Sequence, residues 1–260
     1  MDKIILISAA MLFAFAFPLA LVIWWKKKTG IGLKPFVAGA ACFFVFAMVL
    51  ESICHNLVLL RGGSYTAVYT NPVLYMIYGS FAAGIFEETG RLFGFKVLLK
   101  KYEARETAVA YGIGHGVIEC VFVLGVTYLQ ILLCALGVSF GDPSVDILMA
   151  QTLAALSAPT VLLACFERVT AVAFHVGASM LVFTAARNKK KFFLYPAAIL
   201  LHALLDAPAA LLQKGIITNL LLLEIIMAVI AFGVLAASKK ILYSSIPSAM
   251  GSDASPEDKI

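Results

Sequence analysis

Apolar runs of about 20–30 residues, broken by short polar segments, occupy the chain from its start to about position 240. Seven stretches read as membrane-spanning helices: 4–25, 36–60, 73–96, 107–137, 160–186, 192–213 and 216–237. About 20 apolar residues suffice to cross the hydrocarbon core as a helix. The short alternating strands of a membrane barrel are missing from the pattern. The segment 145–158, "VDILMAQTLAALSA", is short for a crossing and stops before Pro159. The fold expected is an all-α polytopic membrane helical bundle. It has about seven crossings and one short re-entrant or lateral helix, with eight full crossings as the rival.

The loop charges choose between these two. Basic clusters occur at Lys26–Lys28 with Lys34, at Lys96 with Lys100, Lys101 and Arg105, at Arg187 with Lys189–Lys191, and at Lys239 and Lys240. The other connections, "LRGGSYTAVYTN", "SFGDPSVD" and "QKGIITN", are poor in charge. With 145–158 lateral, every basic cluster falls on one side, as the positive-inside rule asks. The N-terminus is then outside and the C-terminus cytoplasmic.

Composition agrees with a membrane location. The chain of 260 residues is 62% hydrophobic and 13% charged, about half the charge of a soluble domain. The net charge of +5 fits basic cytoplasmic loops, and no polar basic surface is patterned for nucleic acid. The first apolar run resembles a signal peptide in part, but it lacks a small-x-small cleavage site and ends at Trp24, Trp25 and three lysines. It reads as a retained span. Five scattered cysteines form no CxxC pair, so a redox pair or zinc–thiolate site is not indicated. One transmembrane domain, 1–240, is expected, followed by a loose cytoplasmic tail, 241–260.

Ionisable residues inside the spans stand out, because charge is costly in lipid and marks functional sites. "GIFEETGR" places Glu87, Glu88 and Arg91 within one apolar helix. All four histidines, His55, His115, His175 and His202, also fall in spans. Several have a possible same-face partner four residues on: His115 with Glu119, His202 with Asp206, and His175 with Ser179. Glu51 precedes His55 by the same interval.

Depth is a second test. At about 1.5 Å per residue, Glu88 lies roughly 12 Å from Lys96, and His115 roughly 14 Å from Glu106. His202 lies roughly 17 Å from Lys191, and His175 roughly 18 Å from Arg187. Four spans thus place polar groups in one slab near the basic end. Glu51 and His55 come out roughly 26 and 32 Å from Lys34, on the opposite side and away from that centre.

Such a cluster can bind a divalent metal such as zinc, activate water through a carboxylate, or relay protons. For hydrolysis, Glu88 or Glu87 would take the proton from water, and a histidine would hold the metal or donate to an oxyanion. Arg91 would neutralise one of two adjacent acids. Gly112, Gly114 and Gly116 would let a neighbouring helix approach His115. Each feature has a plainer reading too. A Glu–Arg pair can simply lock two helices, and a membrane histidine is often only a hydrogen-bonding residue. Glu224 has no partner within its span, and Glu167–Arg168 reads as an interfacial pair. The coincidence of several spans at one depth favours catalysis. A proton-coupled transporter and a silent membrane scaffold are the alternatives, though no inverted repeat is evident.

"EETGR" (87–91), "YGIGH" (111–115) and "HALLD" (202–206) resemble the motifs of the CAAX-protease and bacteriocin-processing superfamily. Within it the chain is most similar to the YhfC family of membrane peptidases. Glu87 and Glu88 match the paired acids, and Arg91 their basic partner. Tyr111 and His115 match the second motif, His202 and Asp206 the third. Arg91 follows the acids after two intervening residues, one fewer than in the prenyl-protein proteases. "HGVIE" and His175 resemble YhfC-type features. The resemblance implies an intramembrane peptidase of glutamic or metallo type in a bacterial or archaeal cell membrane, acting on a membrane protein or peptide. The catalytic set implied is Glu87, Glu88, Arg91, His115, His202 and Asp206. The metal set, for zinc or another divalent ion, is His115, Glu119, His175 and His202, with Glu88.

Overall fold

The computed structural model describes residues 3–61 and 65–248. Helix α1 is Lys3–Thr29 and α2 is Lys34–Leu59. Helix α3 is Pro72–Phe93, α4 is Glu106–Ala135 and α5 is Pro143–Ala155. Helices α6 (Ala158–Arg187), α7 (Leu194–Gln213) and α8 (Leu220–Tyr243) follow, and a short helix, Tyr65–Thr70, precedes α3. Six of these, α1, α2, α4, α6, α8 and a run from Lys189 through α7, are long and apolar enough to cross a membrane. Helix α3 is 22 residues long, but Glu87, Glu88 and Arg91 lower its apolar character.

Polar side chains start the helices where sequence places them. Asn71 accepts from the backbone N–H of Val73 and Leu74 at the start of α3, with Pro72 next. Asp142 accepts from Ser144 N–H ahead of α5. Ser157 and Thr160 form a capping box at α6, which separates it from α5. At the end of α4 the chain turns through Gly137, whose φ of 81° suits glycine.

Helix α6 is the hub. In its most apolar window 83% of residues are buried, against 28% in each of the other five long apolar helices. It packs against α8, α4, α7 and α3. Close approach depends on missing side chains. A Cβ on Gly112 would lie 2.6 Å from Val176 Cα, and one on Gly114 would lie 2.0 Å from the Phe36 carbonyl oxygen. Helix α4 is thereby pressed between α2 and α6, as the glycines around His115 predict.

The basic clusters gather at one end. Arg187 donates to the carbonyls of Phe95, Leu99 and Tyr102, beyond the end of α3. Lys191 donates to Ser245 over 2.6 Å, and Arg105 stacks 4.0 Å from the Tyr243 ring. Trp25 donates to the Glu106 carbonyl at 3.1 Å. At the opposite end, Lys3 donates to the carbonyls of Leu153 and Ala154, capping α5. Helix α5 is only 13 residues long and packs on the last turns of α4.

The first residues of the segment expected as a loose tail, 241–260, are described. Helix α8 runs to Tyr243, Ile246 is buried, and Arg105 N–H donates to the Pro247 carbonyl. The rest of that expected tail, 249–260, lies outside the described residues.

Candidate active site

Helices α3, α4, α6 and α7 each contribute to one buried cluster. Glu87, Glu88 and Arg91 come from α3, His115 and Glu119 from α4, His175 from α6, and His202 and Asp206 from α7. A Cβ on Gly84 would lie 2.8 Å from the Ile199 carbonyl and 3.4 Å from His202 Cβ. That glycine seats α3 directly against the His202 turn of α7.

Arg91 is at the centre and fully buried. Its Nη1 donates to Glu88 Oε1, and its Nε donates to Ser179 Oγ at 3.2 Å. Its Nη2 lies 3.1 Å from His115 Nε2 and also reaches His175 Nδ1. The same Nη2 is 3.7 Å from Glu87 Oε2. A guanidinium has no acceptor, so His175 Nδ1 presents a lone pair to it, whereas His115 Nε2, also 2.9 Å from Glu87 Oε2, can accept from Arg91 or donate to Glu87.

His175 has one consistent arrangement. Its Nδ1 faces Arg91, and its Nε2 contacts Glu119. Nε2 therefore carries the proton, and Glu119 fixes the ring. Glu119 in turn accepts from Arg168 at 2.9 Å, and Arg168 also bonds Glu167. His202 faces acceptors on both sides. Its Nδ1 is 2.7 Å from Glu88 Oε1, and its Nε2 is 3.4 Å from Asp206 and 3.7 Å from Glu87.

The residues predicted for the site thus converge. Glu87, His115 and His175 are the trio with convergent donor atoms, all within 4.8 Å of one another. Glu88 is turned toward Arg91 and His202, Glu119 lies behind His175, and His202 faces carboxylates, so these three stand outside the trio. Ser179 takes its bond from Arg91 instead of pairing with His175. Arg168, read as interfacial, is buried and belongs to the network. Tyr111 donates to the Gly90 carbonyl at 3.2 Å, tying α4 to α3 beside Arg91.

The trio suits a divalent metal by its chemistry and its spacing. Two imidazoles and one carboxylate are a donor set of catalytic zinc sites, which keep a position open. Tetrahedral zinc at its usual bond lengths separates neighbouring donors by about 3.4 Å. Glu87 Oε2 is 2.9 Å from His115 Nε2 and 3.8 Å from His175 Nδ1, on either side of that value.

A cavity of about 380 Å³ reaches this cluster. Glu87, His175, His202 and Asp206 border it, whereas Glu88 does not. Glu51 and His55 also border it, which corrects their expected separation from the centre. Glu51 lies 3.2 Å from His55, whose other nitrogen lies 2.9 Å from the Tyr78 hydroxyl. The wall here includes widened π-helical turns, Phe44–Glu51 of α2 and Val121–Val126 of α4. The cavity extends toward Glu167 and Arg168, away from the basic end.

A membrane helical bundle with a buried histidine–carboxylate centre next to a polar cavity has the makings of an intramembrane hydrolase. The profile of the YhfC intramembrane metalloprotease family matches residues 12–227. The chain is also 34% identical over 241 residues to the uncharacterized membrane protein YhfC of Bacillus subtilis (strain 168). That match covers 88% of this chain and 93% of the relative. The chain belongs to the YhfC intramembrane metalloprotease family. No solved structure matches it. Its buried cluster of Glu87, His115 and His175 is consistent with a catalytic centre for such proteolysis and could hold a divalent metal.

Proposed function

We propose that this enzyme cuts membrane-embedded proteins or peptides at the inner end of the cavity, with zinc held by Glu87, His115 and His175. The observation that carries this reading is the convergence of those three donors beside a cavity bordered by Glu87, His175, His202 and Asp206. A zinc ion held there would polarise the scissile carbonyl and make a bound water acidic at neutral pH. Asp206 borders the cavity 3.4 Å from His202 Nε2, so this pair is placed to exchange protons with water or a leaving group. The water oxygen bonds to the carbonyl carbon, the carbon–nitrogen bond breaks, and the water's proton passes through Asp206 to the departing amine. Glu88 and Arg91 hold each other and the His202 ring in place. Glu119 and Arg168 do the same for His175.

The substrate segment enters partly unwound, because helical carbonyls are shielded by their own hydrogen bonds. Seven helices cross the bilayer in this reading, and α5 lies across the outer end. Supporting this are the antiparallel course of α4 and α6, which pairs His115 with His175 and Glu119 with Arg168, and the gathering of the basic clusters at one end. The N-terminus is then outside and residues 241–260 are cytoplasmic.

The test is cleavage of a transmembrane peptide library by purified protein in proteoliposomes, with metal content measured on the same sample. Turnover should vanish with a chelator and return with zinc. Glu87→Gln, His115→Ala and His175→Ala proteins, shown to be folded, should be inactive. Full turnover in folded Glu87→Gln protein would refute the assignment.

A further inference from the structure

The Arg91 side chain and a divalent cation want the same place. Nη2 of Arg91 lies 3.1 Å from His115 Nε2, contacts His175 Nδ1, and lies 3.7 Å from Glu87 Oε2. Those residues are the trio assigned above to the metal. Their donor atoms converge in a buried pocket beside the cavity, where mutual repulsion is weakly screened. We propose that Arg91 is a built-in placeholder cation, which occupies the metal position between Glu87, His115 and His175 and must withdraw its Nη2 for a metal to enter. This deepens the metal reading of the preceding subsection and rests on it.

The rest of the side chain is anchored off the trio, Nη1 on Glu88 and Nε on Ser179. The guanidinium is a rigid plane, so withdrawing Nη2 from the three donors takes a change of side-chain rotamer that gives up the Ser179 bond. Arginine suits the part because it stays charged at any working pH and donates without ever accepting. The pocket therefore never faces its own lone pairs without a cation, and the donors stay aimed at one point. Occupancy by Arg91 also lowers the apparent affinity for any metal, in proportion to the fraction of molecules whose site is free. Magnesium binds oxygen donors and gives up its waters reluctantly, so it should not displace the guanidinium. Zinc, which takes imidazole readily, should.

The experiment compares wild-type, Arg91→Lys and Arg91→Gln proteins in detergent. Zinc affinity is measured by competition with a chelator of known affinity, and thermal unfolding is followed with and without zinc. Lysine keeps a charge for Glu88 but lacks the second arm that reaches the histidines. Arg91→Lys should bind zinc about tenfold or more tightly than wild type. Without zinc it should unfold at a lower temperature than wild type, and zinc should close that gap. Equal zinc affinity and equal zinc-induced stabilisation in both proteins would overturn the placeholder while leaving the metal reading intact. Failure of both proteins to bind zinc would overturn both. If neither variant folds, the wild-type protein labelled with 15N-arginine decides the matter. The Arg91 side-chain signal should move on zinc saturation and stay put with magnesium, and a signal unmoved by zinc overturns the proposal.

Discussion

Replacing Gly112 by alanine tests whether helix spacing sets the chemistry. The added Cβ would lie 2.6 Å from Val176 Cα, 2.9 Å from the His175 carbonyl oxygen and 3.1 Å from Ser179 Oγ. Ordinary contacts between carbon atoms fall near 3.5–4.0 Å, so α4 and α6 must separate by roughly 1 Å. The obstacle is backbone, which cannot rotate aside. Overpacking of this kind costs about 1–3 kcal/mol of stability. The functional cost is larger, because the shift moves His175 relative to His115, and metal distances tolerate only about 0.2 Å. A displacement near 1 Å can cost about a hundredfold in rate. The assay pairs thermal unfolding in detergent with zinc content and turnover on one sample. Gly233→Ala is the control, because nothing lies within 4 Å of its added Cβ. The control should match wild type or gain slightly, by up to about 1 kcal/mol from helix propensity. Gly112→Ala protein with wild-type zinc content, turnover and melting temperature would refute the argument.

Glu87→Gln should remove zinc and activity with little change in melting temperature, whereas Glu88→Gln should cost about 3–5 kcal/mol by stranding buried Arg91 beside a neutral amide; equal melting temperatures in the two variants would contradict this division. Glu119→Gln, which loosens the hold on His175, should weaken zinc binding about 10–100-fold in chelator competition, and unchanged affinity would free Glu119 of that role. In a cysteine-free background, Ser144→Cys and Lys190→Cys should react with an impermeant maleimide from opposite sides of sealed vesicles. Labelling from the same side would mean that α5 crosses.

The helices were legible because lipid imposes a simple rule, long apolar runs bounded by polar ends. The stretches 107–137 and 160–186 correspond closely to Glu106–Ala135 and Ala158–Arg187. Convergence of Glu88, His115, His175 and His202 was also legible, since depth can be counted from the charged ends of straight helices. The same counting set Glu51 and His55 apart from the centre, because it could not show the cavity that extends along the bundle from the cluster to them. Assigning partners was harder. Counting four residues along a helix pairs His202 with Asp206 correctly, but it pairs His175 with Ser179, whose hydroxyl serves Arg91 instead. Arg168 looked like the partner of Glu167 alone, since the approach of Glu119 depends on how α4 and α6 are set against each other. Such register between helices has no local signature. It emerges from features such as Gly112, whose meaning appears only once Val176 is known to lie against it.

The guanidinium of Arg187 gives the bundle a fixed pivot. It binds the carbonyls of Phe95, Leu99 and Tyr102, so the base of α3 is fastened to the end of α6. The cavity lies on the other side of the cluster from this fastening, flanked by Glu51, Glu167 and Asp206. Helices held at one end and parted at the other behave like the arms of a clothes-peg. A slight spread at the cavity would widen it, while Glu87 and His175, nearer the pivot, would move through a smaller arc and keep their spacing.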